Sequence, residues 1–251
     1  MVYARYRGAD GPSWGRVEGD RVHALAGTPF AGGQPTGRSL PLAEVRLLAP
    51  AEPRRVFALA WNYGDHLDGR EAPKEPQVFL KLPSSIIAPG EPIVLPAGAG
   101  RVDEEAELVA VIGRPCRKVS AREAAECVFG YTCGNDVSAR VWQKNDLTWW
   151  RAKGSDTFAP LGPFIVTGLD PAALQIIGRV NGREVQRCSP RDLFFDVPNL
   201  VSWISRSIAL EPGDLVYTGT SGSPAELADG DVVEVEIGGI GVLRNPVHAG
   251  V

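Results

Sequence analysis

Glycine and proline punctuate this chain from end to end: 29 Gly and 21 Pro are spread over 251 residues, with Leu, Val and Ile in short bursts between them. Long helices are disfavoured by such spacing, because proline removes a backbone donor and interior glycine adds an entropy cost. The texture predicts many short strands joined by tight turns, with few helices. The expected fold class is mainly β, with a minor helical share (α+β).

The first fifty residues differ from the rest. Strand-like pieces (VYARYR, WGRVEGDRVHAL) run into the Gly/Pro-rich stretch TPFAGGQPTGRSLP, which suggests a small N-terminal β-rich domain over 1–50 and a larger domain over 51–251. Beyond the boundary, Val56 to Trp61, Glu107 to Gly113 and Leu174 to Val180 read as strands. Asn181-Gly182 is the strongest hairpin signal, since both residues tolerate positive φ. In DVVEVEIGGIGVL, Val233, Val235 and Ile237 alternate with Glu234 and Glu236, the pattern of a half-buried strand. Two helices are expected. One opens at the capping box Ser120-Ala-Arg-Glu123 and stops at Gly130. The other starts near Asp196, carries Pro198 in its first turn, and sets Val197, Val201, Ile204 and Ile208 on one face.

Composition excludes several function classes. A net charge of −4 gives no attraction to nucleic acid or anionic lipid, and no apolar stretch approaches the ~18 residues of a membrane span. The N-terminal MVYARYRGADG lacks the apolar core of a signal peptide, so a cytoplasmic location is expected. Cys116, Cys127, Cys133 and Cys188 form no Cys-x-x-Cys pair and read as reduced, core or near-core thiols. With only three histidines (His23, His66 and His248), a metal site here must rely on oxygen.

The sharpest candidate is RVDEEAELVAVIG. On an extended strand, Asp103, Glu105 and Glu107 share one side, and Glu107 directly precedes an apolar run. Acids at a buried strand entrance cost several kcal/mol unless a cation or proton offsets them. Hard oxygen ligands of this kind suit Mg²⁺, Mn²⁺ or Ca²⁺. A solvated acidic strand end explains the same residues. A second candidate is GYTCGNDVSARVWQ followed by WWRAKGSDTFAPLGP. Asn135-Asp136 lies where a strand-like segment breaks, with Arg140, Gln143 and Lys153 downstream; routine surface ion pairs are the alternative. Lys153 is one of only five lysines against 21 arginines.

In order along the chain, NYGDH (62–66), VFLKLPSS (78–85), DEEAELVAVIG, GYTCGNDVSARVWQ, RAKGSDTFAPLGP, EPGDLVYTGT and GIGVLRNPV resemble the fumarylacetoacetate hydrolase family. The resemblance runs roughly from residue 52 to 247, about four-fifths of the chain. It implies mixed β-sheets rolled into a sandwich-like barrel around the active site. It implies Glu105, Glu107 and Asp136 as ligands of Mg²⁺ or Mn²⁺, and Lys153 as the lysine that approaches substrate. Arg140, Gln143 and Thr220 correspond to substrate-holding positions, and His66 to the general base of the hydrolase branch. For His66 the alternative is a capping or packing histidine, and the role of Lys81 is open. A homodimer is also implied.

The chemistry that follows is turnover of a small 2-oxo acid. Such a carboxylate can chelate the cation, which polarises the C2 carbonyl and stabilises the enolate beside it. Hydrolysis of a C–C bond, decarboxylation and isomerisation can all proceed from that enolate. Hydrolases similar to this chain carry a glutamate three residues after the histidine; here His66-Leu67-Asp68-Gly69-Arg70-Glu71 puts Gly69 there, with Asp68 and Glu71 at other spacings. TGTSGSPAELADGD is also shorter than the usual segment. These departures tilt the expectation towards isomerisation or decarboxylation of a hydroxymuconate-type dicarboxylic acid from aromatic breakdown, such as a 2-hydroxyhepta-2,4-diene-1,7-dioate. An acylpyruvate hydrolase, an oxaloacetate decarboxylase and a non-catalytic carboxylate-binding β-domain are the competing readings.

Overall fold

The computed structural model of the chain describes residues 1–9, 11–67 and 69–250. Its centre is the strand Ala106–Ile112, buried at every position. Leu108, Ala110 and Ile112 face one apolar core and Val109 and Val111 another, so the strand is continuously apolar from Leu108 to Ile112 instead of alternating. It pairs antiparallel with Val128–Asn135 on one side and with Leu215–Tyr217 on the other. Leu215–Tyr217 then runs parallel to Val56–Ala60, which is antiparallel to Gln77–Lys81. The expected strand to Trp61 stops one residue early, because Trp61 takes φ +57.

In the other direction, Val128–Asn135 pairs with Ala159–Val166, and that strand with Val2–Gly8. The N-terminal meander of Val2–Gly8, Gly11–Glu18, Arg21–Ala26 and Gln34–Pro41 thereby extends the same sheet. Its last strand lies inside the Gly/Pro-rich stretch. Prolines are tolerated there because Gln34–Pro41 is the sheet edge, where a missing N–H costs no ladder bond.

A second sheet has the order Arg183–Cys188, Ile176–Val180, Val232–Ile237, Gly241–Ala249, Ile93–Leu95. Its Ile176, Val235, Ile237 and Leu243 pack with Leu108, Ala110 and Ile112, making a sandwich. Asn181 (φ +53) and Gly182 (φ +76) form the expected tight turn, with Val180 opposite Arg183.

Both expected helices are present. Ser120 and Glu123 close the capping box, and the helix Ala121–Cys127 follows. Gly130 does not stop it: the chain turns at Cys127 straight into a strand, and Gly130 lies within that strand, where a Cβ would come 2.5 Å from the Val166 carbonyl. The helix Val197–Ser207 buries Val197, Val201 and Ile204 together with Leu200, whereas Ile208 falls past its end and is 39% exposed. Two short helices, Arg140–Asn145 and Trp150–Gly154, carry no periodic apolar signal and were not expected. All four cysteines are free, with Cys116, Cys127 and Cys133 buried and Cys188 half-buried. Among the described residues no helix is long and apolar enough to cross a membrane.

Candidate metal and acid–base site

Antiparallel pairing explains why distant acids meet. Ala106 lies opposite Asn135 at the end of the central ladder. One step further out, the Asp136 N–H donates to the Glu105 carbonyl and the Glu105 N–H to Asn135 Oδ1, each at 2.9 Å. Glu107 follows two residues along, opposite Gly134. That glycine is required by space, since a Cβ there would lie 2.4 Å from Val109 and 2.5 Å from the Tyr217 ring. The expected single face of Asp103, Glu105 and Glu107 is interrupted. Val102–Asp103 pairs separately with Ser138–Ala139, and Asp103 accepts from Arg101 and Arg140.

Glu105, Glu107 and Asp136 are buried, and one oxygen of each falls within a 4.8 Å span. A small divalent cation with metal–oxygen distances of about 2.1 Å sets its ligand oxygens about 3 Å apart when adjacent and about 4.2 Å when opposite. The triad fits that spacing with small side-chain adjustments. Glu107 adds an independent sign. Its Oε2 accepts the Gly219 N–H at 2.8 Å, while Oε1 is buried without a hydrogen-bond partner among the described residues. Burial, with Asp136 and Glu105 nearby, pushes its carboxyl well above the usual carboxylate range. An oxygen in that condition is one a cation would satisfy.

Three cations face these acids. Lys153 Nζ, buried on the helix Trp150–Gly154, donates to Glu105 Oε2 and Asp136 Oδ2, each at 2.7 Å, and sits 5.0 Å over the Phe79 ring. Burial opposes its charge, but Asp136 and Glu105 raise it above the ordinary lysine value. Lys81, whose role the sequence left open, donates to both Asp136 Oδ1 and the Lys153 carbonyl. It is thus a tie between the strand end and the lysine helix, and burial lowers its pKa despite Asp136. Arg140 donates to Asp103, Glu105 and Gln143. Although burial pushes the Glu105 carboxyl up, Lys153, Arg140 and His66 hold it well below its ordinary value.

The remaining sequence candidates surround this cluster. Thr220 is buried, donating to the Ala106 carbonyl and accepting from Gln186. His66 closes the short turn Gly64–His66, with Nε2 3.9 Å from Glu105 Oε1 and Nδ1 2.7 Å from the Gly222 carbonyl. Of the two acids considered as its partner, Glu71 is exposed and Asp68 lies outside the described residues. A cleft of about 690 Å³ opens above, lined by Trp61, His66, Arg70, Arg140, Gln143 and Lys144. It narrows to a neck of about 20 Å³ bounded by Glu105, Lys153 and Thr220. Sequence reasoning did not foresee Trp61 and Trp149, whose rings meet edge-on at 5.8 Å beside the neck. Nor did it foresee Glu104, fully buried on the other side of the strand end with Oε1 on the Ala225 N–H.

The site now has relatives to be set beside. The family model described as fumarylacetoacetate (FAA) hydrolase C-terminal matches residues 55–248, and an Rv2993c-like N-terminal model matches residues 1–50. Protein Rv2993c of Mycobacterium tuberculosis is 44% identical, the match covering 98% of each chain. The oxaloacetate tautomerase fahd2 of Xenopus laevis is 40% identical over 82% of this chain and 69% of its own. Among solved structures, a 5-carboxymethyl-2-hydroxymuconate delta-isomerase from Mycobacterium smegmatis superposes with a TM-score of 0.95 at 46% identity over all of both chains. A 2-hydroxyhepta-2,4-diene-1,7-dioate isomerase from Mycobacterium marinum gives 0.93 at 44%, over 99% of this chain and 98% of its own. A maleylpyruvate hydrolase from Sphingobium sp. SYK-6, in complex with manganese(II) and pyruvate, gives 0.82 at 31% over both whole chains. A match to the family model over nearly four-fifths of its length, with the full-length superpositions, places this chain in the fumarylacetoacetate hydrolase family, among relatives named as isomerases, a tautomerase and a hydrolase.

Proposed function

We propose that this protein is a divalent-metal-dependent enzyme, using Mg²⁺ or Mn²⁺, that relocates a proton on a small 2-oxo or 2-hydroxymuconate-type dicarboxylic acid. The observation that carries the reading is the buried triad Glu105, Glu107 and Asp136 with an unpartnered oxygen on Glu107 and Lys153 beside it. Glu105, Glu107 and Asp136 would hold the cation. When bound, it supplies Lewis acidity that polarises a 2-oxo group and acidifies the adjacent C–H.

The chain's own residues supply the rest. A bound divalent cation, with Lys153 and Arg140 beside its ligand Glu105, would add positive charge suited to an anionic substrate. Lys153 places an ammonium where negative charge develops on the substrate oxygen, commonly the largest catalytic contribution. His66 Nε2 faces the neck and can take and return a proton. Arg140 and Gln143 line the cleft and orient the substrate, and buried Thr220 borders the neck. The two isomerases and the tautomerase among the relatives support proton relocation as the outcome.

Hydrolysis of a C–C bond in an acylpyruvate is the second reading, favoured by the maleylpyruvate hydrolase relative. Decarboxylation of oxaloacetate uses the same groups without the base. The deciding assay offers the Mg²⁺- or Mn²⁺-loaded protein a 2-hydroxyhepta-2,4-diene-1,7-dioate, oxaloacetate in its enol form and an acylpyruvate. Isomerised or ketonised product, lost on chelation, supports the proposal; no turnover of any substrate, with chelator-insensitive stability, sinks it. His66→Ala should abolish isomerisation and hydrolysis yet leave decarboxylation, and equal loss of all three would refute that division of labour. We further propose a homodimer, supported by exposed Leu80, Leu147 and Trp150 beside the cleft, which light scattering in solution would check.

A further inference from the structure

His66 is held from the side opposite the acids. Its Nδ1 lies 2.7 Å from the Gly222 carbonyl, and a carbonyl can only accept, so Nδ1 carries the hydrogen. In the neutral ring the lone pair then falls on Nε2, the nitrogen that faces Glu105 and the neck.

The Gly222 carbonyl is itself fixed in place. Gly219 (φ +101) and Gly222 (φ +67) take left-handed conformations, and a Cβ at Gly219 would lie 3.0 Å from Asn62 Cβ. Between them, Ser221 is clamped at both ends. Its hydroxyl donates to Asp65 Oδ2 at 2.7 Å, and its carbonyl accepts from Gln186 Nε2 at 2.6 Å. Gln186 in turn accepts the Ala106 N–H at 2.9 Å. Ala106 lies between Glu105 and Glu107, so the orientation of His66 is referenced to the same backbone that places the acids.

We infer that the loop Gly219–Gly222, latched by Asp65 and Ser221, sets the His66 tautomer, with Asp65 and Ser221 as positioning residues. The inference rests on the reading above that His66 moves a proton. Asp65 acts through Ser221 and the loop. A neutral carbonyl on Nδ1 fixes the tautomer without the counter-charge a carboxylate would give an imidazolium. The arrangement presents the Nε2 lone pair towards the neck, the orientation that relocation of a proton between two substrate atoms requires.

The test is long-range ¹H–¹⁵N spectroscopy on the Mg²⁺-loaded protein, in buffer alkaline enough to keep ordinary imidazoles neutral. Only three histidines need assignment, and His66→Gln identifies the signal. The expected result is the Nδ1–H tautomer. Ser221→Ala and Asp65→Ala should each give mixed tautomers and lower kcat about tenfold, with KM and Mg²⁺ affinity within about twofold. Ser221→Thr and Asp65→Asn keep the hydroxyl and the acceptor, and should retain the tautomer and the rate. An Nε2–H tautomer in the unmodified protein overturns the inference. So does an unchanged tautomer in Ser221→Ala, or an Asp65→Asn variant as impaired as Asp65→Ala, which would mean that charge acts and not orientation. Failure to turn over any substrate would defeat the functional reading alone, because the tautomer is read without turnover.

Discussion

Two buried acids on neighbouring strands, Asp214 and Glu107, have opposite fates. Asp214 precedes the strand Leu215–Tyr217 and is fully buried. Its Oδ1 accepts the backbone N–H groups of Arg54 and Arg55, and its Oδ2 accepts from the Glu211 N–H and the Arg55 guanidinium. Every favourable lone-pair direction is occupied, so the carboxylate fastens the Arg54–Arg55 segment to the turn before Leu215 and has nothing left to offer a ligand. Glu107, equally buried, has one backbone donor and one bare oxygen. The lesson concerns satisfaction, not burial: a satisfied buried acid is a fastening, and an unsatisfied one among other acids is a site.

The largest expected effect tests the site half of that contrast. Asp136→Ala removes one of the three convergent oxygens and the shared acceptor of Lys81 and Lys153. Calorimetry should show no Mg²⁺ or Mn²⁺ binding, and turnover should fall by about a thousandfold or more. Retained metal binding would move the site away from these residues. The matching change at the fastening, Asp214→Ala, should act on stability alone. It leaves three backbone donors without acceptors, a cost of about 3 kcal/mol in denaturant unfolding, while metal affinity per folded molecule stays unchanged. A loss of metal affinity in the folded variant would erase the distinction.

Lys153→Met sharpens the comparison inside the site. The ammonium sits on Glu105 and Asp136, the same carboxylates proposed to hold the cation. Removing it should lower kcat about a hundredfold, while metal affinity holds or rises, because two acids lose a competing positive charge. A parallel fall in both would make Lys153 a structural strut. Its neighbour Phe79 gives Met an apolar surface to pack on.

How much of this was legible in the sequence depends on whether the cause was local. Glu105 and Glu107 were readable because i, i+2 spacing on a strand is local, and Asn181-Gly182 because a tight turn is local. The capping box at Ser120 was visible for the same reason, but the end of its helix was not. Gly130 is a helix stop by local preference, and it became part of a strand through pairing with Val111 of the Ala106–Ile112 strand. Lys81 was ambiguous because its partners lie 55 and 72 residues away. Arg140 looked available to substrate, since no local pattern shows that Asp103 and Glu105 already engage it. Asp136 and Lys153 were candidates from a strand break and a scarce lysine, but only resemblance to a family gave them roles. The convergence that makes them a site is set by the pairing of Ala106 with Asn135, which one segment cannot announce.

The smallest expected effect comes from Glu104, which resembles Glu107 in satisfaction yet differs in company. It is fully buried, its Oε1 takes the Ala225 N–H at 3.1 Å, and its Oε2 has no hydrogen-bond partner. Its Oε2 lies beside Gly178, however, 3.2 Å from where a Cβ there would stand, and Glu104 is not among the acids whose oxygens converge. Here a proton replaces a cation: burial pushes the carboxyl from its ordinary 4.5 up to about 7, with Glu105 and Asp103 adding to the rise. A raised native value means the folded protein keeps a proton that the unfolded chain has released. Its contribution to stability is therefore complete at low pH and is lost as pH climbs through about 7. Glu104→Gln keeps the shape and the acceptor without the ionisation. In the metal-free protein it should unfold within about 1 kcal/mol of the parent at acidic pH, and be the more stable of the two at about pH 8. Metal affinity should not change, because Glu104 takes no part in the triad. If Glu104→Gln instead weakened metal binding as strongly as a change at Glu107, an unpartnered oxygen would mark a ligand wherever it occurs, and the company it keeps would not matter.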